Sequence, residues 1–196
     1  MACCRPPVII MDTNKIVEWK IEDSLLSPSG KIMVYIDREK LGSERFDNDT
    51  TYITIRQRIR IKDLKTGQSR VMLVTNLESS DPKCQLLWFS QMSFSPDERY
   101  VYFECDTWEK CEALHRIDLA TGKESFVVDV LGYRIISSRK HSGWILSWRY
   151  VHTEAGPGSY PCFVSPDGKK TKNISEEEYR SMEKKYKFMR VTLRPE

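Results

Sequence analysis

Hydrophobic and polar residues alternate over short stretches through most of the chain. Ile59 and Ile61, and then Val71 and Leu73, lie at every second position of two such stretches. Alternation with β-branched residues is typical of strands that bury one face. Aromatic residues make up 11% of the chain and lie mostly in the same stretches, which also favours sheet. The pattern therefore predicts an all-β protein.

Two short motifs recur in the same order between these stretches. Residues 26–35 (LSPSGKIMVY) match residues 94–103 (FSPDERYVYF), and residues 61–68 (IKDLKTGQ) match residues 117–123 (IDLATGK). Proline presets the backbone for a tight turn, and the Ser or Asp side chain can bond the backbone further on. The glycine of Thr-Gly supplies the positive φ that short hairpins need. Two motifs in register predict a repeated unit of strands joined by tight turns.

A strand ending in Phe-Ser-Pro-Asp, an apolar strand, a hairpin and then Ile-Asp-Leu-Ala-Thr-Gly-Lys resembles the TolB-type (WD40-like) β-propeller repeat. The resemblance implies about three consecutive antiparallel four-stranded blades, at residues 22–76, 86–130 and, in degenerate form, 133–174. The Ser-Pro-Asp-Gly turn at residues 165–168 either ends the third blade or opens a truncated fourth unit. Closed propellers typically have about 4 to 8 blades, so we expect a small ring or an open, capped array.

The end of the chain carries the one strong helix signal. Ser175 and Glu178 fit a capping box, and Tyr179, Met182 and Tyr186 form one apolar stripe. This pattern predicts a C-terminal α-helix that packs on a sheet edge or on the open end of the array.

The sequence around the helix predicts further capping segments. We expect residues 175–187 to be helical and residues 188–193 to return as a closing strand. Residues 8–11 and 15–21 can supply strands that pair with the last sheet. The whole chain, residues 1–196, is expected to form a single domain.

Charge and composition limit the kinds of partner and compartment that the sequence favours. The net charge is +3, from 31 basic and 28 acidic residues, which is too balanced to favour nucleic acid. No apolar run approaches the roughly 18 residues of a membrane helix, and no signal peptide is evident. If the gene starts upstream, Cys3 would be the lipidated residue of a bacterial lipoprotein, but we expect an ordinary start. The sequence leaves the compartment open between the cytoplasm and the periplasm.

The pattern of reactive residues argues against catalysis. The six cysteines show no metal-ligand spacing, and neither a phosphate loop nor a nucleophile elbow occurs. Asp97 and Asp167 lie in Ser-Pro-Asp turns, where we expect a structural role. Cys105 and Cys111 flank a predicted hairpin and form either a disulfide or two inert thiols. We predict a protein that is not an enzyme and holds no cofactor or metal.

Three predicted loops offer surface for another protein. They are residues 41–51, 106–110 and 153–161, and loops on rigid β-scaffolds often carry function. Trp, Tyr and Arg dominate the energy of protein interfaces. The candidate partner-binding residues are therefore Trp108, Phe46, Arg45 and Tyr160.

These features favour a non-enzymatic protein-binding module. One form of this hypothesis is a bacterial immunity-type protein that neutralises a toxin. An alternative is an envelope-associated, TolB-like accessory protein or lipoprotein. A further alternative is the non-catalytic propeller fragment of a peptidase-like enzyme, which the resemblance implies because such repeats accompany peptidases.

Overall fold

The computed structural model describes residues 18–39, 56–76, 86–106, 112–138, 140–153 and 156–192. These residues form three antiparallel four-stranded sheets and one α-helix, each sheet a simple meander in chain order. The predicted fold class, three consecutive antiparallel four-stranded blade-like sheets with one C-terminal helix, is confirmed. The first sheet contains β1 (Trp19–Leu26), β2 (Ile32–Glu39), β3 (Gln57–Asp63) and β4 (Ser69–Val74). The second sheet contains β5 (Leu87–Phe94), β6 (Tyr100–Asp106), β7 (Glu112–Asp118) and β8 (Glu124–Val130). The third sheet contains β9 (Tyr133–Ile135), β10 (Ile145–Thr153), β11 (Gly156–Val164) and β12 (Thr171–Asn173), and it is followed by α1 (Glu176–Lys185).

The two repeated motifs form the turns that the sequence predicts. In the first two sheets, the Ser-Pro turn joins the first and second strands and the Thr-Gly turn joins the third and fourth. Asp63 Oδ1 accepts the backbone N–H groups of Lys65 and Thr66 at 2.8 Å each. Asp118 makes the equivalent pair of bonds in the second sheet. A carboxylate that bonds its own turn fixes the hairpin without help from distant residues.

The second sheet lies between the other two because both of its faces are apolar. Phe103 packs on one face with Val34 and Ile59 of the first sheet. Tyr102, the next residue along β6, packs on the opposite face with Ile135 of the third sheet. Successive strand residues point to opposite faces, so β6 buries both sets of side chains. The sheets therefore stack face to face in chain order.

The third Ser-Pro turn has a different position in its sheet. It joins β11 to β12, so no fourth unit opens at Ser165. The Pro166 carbonyl accepts hydrogen bonds from Tyr102 Oη at 2.9 Å and Arg116 Nη1 at 2.8 Å. Gly168 has φ +74°, and a Cβ there would lie 2.1 Å from the Val127 carbonyl oxygen. The turn thus docks the third sheet onto the second.

Helix α1 covers the outer face of the third sheet. Tyr179, Met182 and Tyr186, the predicted apolar stripe, pack against buried residues of that sheet such as Phe163. The Ser175 hydroxyl accepts the backbone N–H of Glu178 at 3.1 Å, as the capping box predicts. The Glu178 carboxylate pairs with Lys172 Nζ at 3.0 Å.

The closing segment differs from the continuous strand predicted at residues 188–193. Its described part forms two isolated bridges, Phe188 with Ile136 and Val191 with Ser93. Met189 N donates to Ile135 O, and residue 192 pairs with the backbone of β5. The segment crosses from one sheet to the next, so it cannot pair along either. We call residues 187–192 the strap.

The expected pairing of residues 15–21 with the last sheet is wrong for the part that the structure describes. Trp19 pairs with Glu39 and Ile21 with Asp37, so these residues belong to β1 of the first sheet. An eight-residue β1 matches the eight-residue β2 beside it. Residues 8–11 and 15–17 lie outside the described residues.

Candidate partner-binding rim

Strand direction divides the connections of the array between two rims. The first strand of each sheet (β1, β5 or β9) runs towards one rim, where a short connection leads into the second strand. The second strand (β2, β6 or β10) then runs back to the opposite rim. At that opposite rim Gln57, which begins β3, bonds Phe89 near the start of β5. At the rim of the short turns Glu98 bonds Ser29. The rim where β2, β6 and β10 end is called the loop rim.

The strands that precede the three sequence-predicted loops, β2, β6 and β10, all end at the loop rim. Residues 156–161 of the third predicted loop belong to β11, so the loop prediction is wrong there. Residues 41–51 and 107–110 of the other two lie outside the described residues. Three of the predicted binding residues, Arg45, Phe46 and Trp108, lie outside the described residues, and their roles stay predictions.

Tyr160 is the fourth predicted binding residue, and it lies on an extended hairpin. β10 pairs with β11 over nine residues, but β9 pairs only with the first three residues of β10, Ile145 to Ser147. The outer half of the hairpin is therefore a two-stranded ribbon. Tyr160 is 46% exposed on this ribbon, and its ring lies close over Gly158. Its role in binding stays a prediction.

The cysteines of the described residues are buried. Cys105 Sγ lies 3.7 Å from the Ala113 carbonyl oxygen, and burial raises the pKa of this thiol well above its usual range. Burial also raises the pKa of Cys162, to about 11. Both groups are therefore poor nucleophiles at neutral pH. Cys111 lies outside the described residues, so the Cys105–Cys111 bridge stays a prediction.

The two histidines whose side chains are described, His115 and His141, are engaged in packing. His115 Nδ1 bonds the Glu124 carboxylate, and its ring stacks on Phe103. His141 Nδ1 bonds Tyr186 Oη at 3.0 Å, beside the Trp144 ring. These contacts fix the rings between structural elements.

The aspartates of the Ser-Pro turns are also structural. Asp97 Oδ1 bonds the Ser95 hydroxyl at 2.6 Å, and Asp167 Oδ1 bonds the Ser165 hydroxyl at 2.7 Å. The Ser165 hydroxyl is the main cause that lowers the pKa of Asp167. Both carboxylates hold their own turns, as the sequence predicts.

Sequence reasoning missed Trp88, at the start of β5. Its backbone has φ +51° and its side chain is 42% exposed, with the Arg38 guanidinium 5.4 Å from the ring centre. A left-handed conformation costs a residue with a side chain about 1 kcal/mol or more, and such strain is common at functional sites. In the sequence Trp88 stands inside the apolar run Leu87 to Phe89, so nothing marked it as exposed.

A polar network holds Trp88 in place. The Phe89 N–H donates to Gln57 Oε1 at 2.7 Å, and Gln57 Nε2 donates to Glu22 at 2.6 Å. Glu22 also accepts Arg38 Nη1 at 2.9 Å. The network joins the first and second sheets at the loop rim, so Trp88 and Arg38 form a fixed aromatic–cation pair there.

Within the residues that the structure describes, no group of three or more His, Cys, Asp or Glu residues is placed to hold a metal ion. Within those same residues, no helix has the length and apolar character needed to cross a membrane.

Comparisons with known proteins show the fold. No protein-family model matches the chain, and no curated protein matches it. The AtxE2 isopeptidase aligns with a TM-score of 0.53 and 10% identity, over 85% of this chain and 32% of that one. A putative dipeptidyl aminopeptidase IV from Bacteroides ovatus aligns with a TM-score of 0.51 and 12% identity, over 78% of this chain and 26% of that one. TolB from Acinetobacter baumannii aligns over 61% of this chain and 27% of its own, with a TM-score of 0.39 and 15% identity.

The stacked sheets, together with the alignments to the AtxE2 isopeptidase and the putative dipeptidyl aminopeptidase IV, define the class of fold. This chain has a blade-based, propeller-like fold, in which the described residues form three four-stranded blades. It spans about a third or less of the length of these solved structures.

Proposed function

We propose that this chain is a non-catalytic binding module that presents its loop rim to another protein. The observation that carries the proposal is Trp88, an exposed aromatic side chain held on that rim by a left-handed backbone. The folded state bears this strain and leaves a large apolar ring in water. A partner that covers the ring would remove that exposure.

The chemistry around Trp88 suits a protein surface. An indole ring beside a guanidinium provides an apolar face and hydrogen-bond donors within one patch, and Trp and Arg are enriched among interface hot spots. The Glu22–Arg38 ion pair fixes the cation before binding, so little side-chain entropy is lost on association.

Two finer forms of the proposal differ in the partner. In the first, the chain is a bacterial immunity-type protein that neutralises a toxin. In the second, it is an envelope-associated, TolB-like accessory protein. Capture of a toxin by the loop rim supports the first, and capture of an envelope component supports the second.

Fold likeness to peptidases supports a second candidate function. The chain spans 26% and 32% of two such enzymes, so it would be the non-catalytic propeller part of a peptidase-like assembly. In that case the partner captured at the loop rim is a hydrolase subunit.

Site-specific photo-crosslinking tests the proposal. Benzoylphenylalanine replaces Trp88 in one full-length variant and Leu64 in another; Leu64 has the same 42% exposure but lies in a turn at the opposite rim. We expect one protein to crosslink from position 88 and not from position 64. Equal products from both positions, or none from position 88, would contradict the proposal.

The captured protein then allows an affinity measurement. Trp88→Ala should weaken its binding by about 2 kcal/mol, or roughly thirtyfold in Kd. Leu64→Ala is the matched control and should leave the Kd unchanged. An unchanged Kd for Trp88→Ala removes this residue from the interface.

A further inference from the structure

The outer face of the first sheet combines positive charge with exposed apolar side chains. β3 has basic residues at every second position, and Ile59 and Ile61 between them pack in the core. Alternation therefore places the basic side chains on the opposite, outward face. We call this surface the basic face; its basic residues are Arg58, Arg60 and Lys62 of β3 and Arg56, which directly precedes β3.

Apolar residues of the neighbouring strands flank the basic row. Ile21 and Leu26 of β1 are 51% and 45% exposed, and Val71 of β4 is 47% exposed. By strand register Ile21 is in line with Arg58, and Val71 pairs with Arg60. The basic face thus has large aliphatic side chains at both of its edges.

Two of the guanidinium groups are fixed before any partner arrives. Asp37 Oδ2 accepts Arg58 Nε at 2.9 Å and Arg60 Nε at 2.8 Å. The Arg58 guanidinium lies 4.0 Å from the centre of the Trp19 ring, and that of Arg60 lies 4.5 Å from the centre of the Tyr35 ring. The Asp37 side chain is only 2% exposed, while the arginines keep about a fifth of their side chains in solvent.

The basic face has a net positive charge. Arg56 and the three basic residues of β3 stand against two carboxylates on the same face, Asp37 and Glu39, which leaves two positive charges. A second copy of this chain would bring the same charge. The Trp19 and Tyr35 rings are already covered by the guanidinium groups of Arg58 and Arg60. The exposed apolar surface left for a partner is therefore the aliphatic side chains at the edges, on which bases do not stack. Charge and composition therefore favour an acidic polypeptide over a second copy or a nucleic acid.

The position in the stack strengthens this conclusion. The outer face of the third sheet is covered by α1, and both faces of the second sheet are buried. Repeat arrays need their terminal faces capped. We propose that the basic face docks a partner polypeptide that carries carboxylates beside apolar side chains. This inference does not depend on the loop rim.

Photo-crosslinking from the β1 edge of the face tests this proposal. Benzoylphenylalanine replaces Ile21 in the full-length chain in the source cell, and the crosslinked peptide is sequenced. We expect a peptide of another protein in which Asp or Glu residues lie next to apolar residues. A crosslink within this chain, to a second copy or to nucleic acid, or no crosslink at all, overturns the proposal.

A matched pair of second substitutions makes the test specific to the face. Val71→Glu changes the far edge of the same face, and Leu131→Glu changes a residue of similar exposure, 43%, away from it. Val71→Glu should lower the crosslink yield at least about tenfold, since it adds a negative charge and removes an apolar contact. Leu131→Glu should leave the yield unchanged, and thermal melts should show both variants folded. Equal yields in the two variants overturn the proposal.

The result is separable from the test of the loop rim. Crosslinking from position 21 with none from position 88 supports the basic face and contradicts the proposed function. The reverse result supports the proposed function and contradicts the basic face.

Discussion

At the residue scale, two of the left-handed positions in the Ser-Pro turns, Glu98 and Gly168, are sites of contact between sheets. Gly30, Glu98 and Gly168 occupy the same position in the three Ser-Pro turns, with φ between 56° and 74°. Two of these positions have glycine, for which the conformation costs little. The third has Glu98, whose carboxylate bonds the backbone N–H and the hydroxyl of Ser29 in the neighbouring turn. The turn motif therefore also connects the first and second sheets.

Gly168 provides the sharpest residue-scale prediction. Gly168→Ala should destabilise the fold by about 3 kcal/mol, because the new Cβ meets the Val127 carbonyl oxygen and the backbone must shift. Gly67→Ala is the matched control, with φ +72° and nothing within 4 Å of its Cβ, and it should cost only about 1 kcal/mol. Urea unfolding of both variants measures the difference. Equal losses would show that the third turn is not docked on β8.

Asp37 provides a prediction about pH. Burial raises the pKa of Asp37, but the hydrogen bonds and charges of Arg60 and Arg58 outweigh burial and hold the pKa below its usual value. A lowered pKa in the folded state contributes stability above the unfolded pKa, near 4, and this contribution is lost as the pH falls through the folded pKa.

Asp37→Asn should therefore destabilise the protein by about 2 kcal/mol at neutral pH, with the difference shrinking on acidification below pH ~4. Urea unfolding of wild type and variant across this range measures the effect. Asp63→Asn is a useful comparison, since Asp63 is exposed and bonds only its own turn. A gap between wild type and Asp37→Asn that does not change with pH would contradict the role assigned to the ion pairs.

At the element scale, the features that were predicted correctly are local in sequence. The Ser-Pro and Thr-Gly turns are closed by side chains two or three residues away, as in the bonds from Asp63 to Lys65 and Thr66. The cap of α1 is also local, since Ser175 bonds Glu178. Local chemistry is visible in the sequence, so the strands and the helix could be predicted from it.

The elements that were missed depend on distant contacts. β5 has two register shifts and left-handed residues at Trp88 and Gln91. Its backbone is held by Gln57, 32 positions away, and by Thr192, whose hydroxyl accepts the Met92 N–H from 100 positions away. An alternation pattern contains no information about such contacts. The strap and the exposure of Trp88 could not be predicted for this reason.

The N-cap of α1 provides an element-scale prediction. Ser175→Ala should destabilise the helix by about 1 kcal/mol, because the Glu178 N–H loses its acceptor. Ser181→Ala, at an exposed position inside the same helix, should be neutral or slightly stabilising. Hydrogen exchange of the helix amides measures both. Equal exchange in the two variants would contradict the assigned cap.

At the scale of the whole molecule, the array has two different ends. The third sheet is covered by α1 on its outer face, and its inner edge is joined to the second sheet by the strap. The first sheet has exposed Ile21, Leu26 and Val71 on its outer face. The number of blades could be predicted from the repeated motifs, but which end of the array keeps exposed apolar side chains depends on packing.

The third blade shows the limit of repeat reasoning most clearly. Its Ser-Pro-Asp-Gly turn has the same sequence chemistry as the others but joins β11 to β12. The hydrogen bonds that Tyr102 and Arg116 donate to the Pro166 carbonyl explain the position of this turn in the third sheet, because they fix the turn against the second sheet. The motif predicted a turn correctly, and only the structure shows which strands it joins.

The most direct test of the stacked array is native-state hydrogen exchange measured amide by amide on the full chain. The second sheet is covered on both faces, so the amides of β6 and β7 should open only by global unfolding and exchange most slowly. Amides of the edge strand β4, in the first sheet, should exchange faster through local opening. Slowest exchange in the first sheet, or equal protection in all three sheets, would contradict the stacking order on which the account depends.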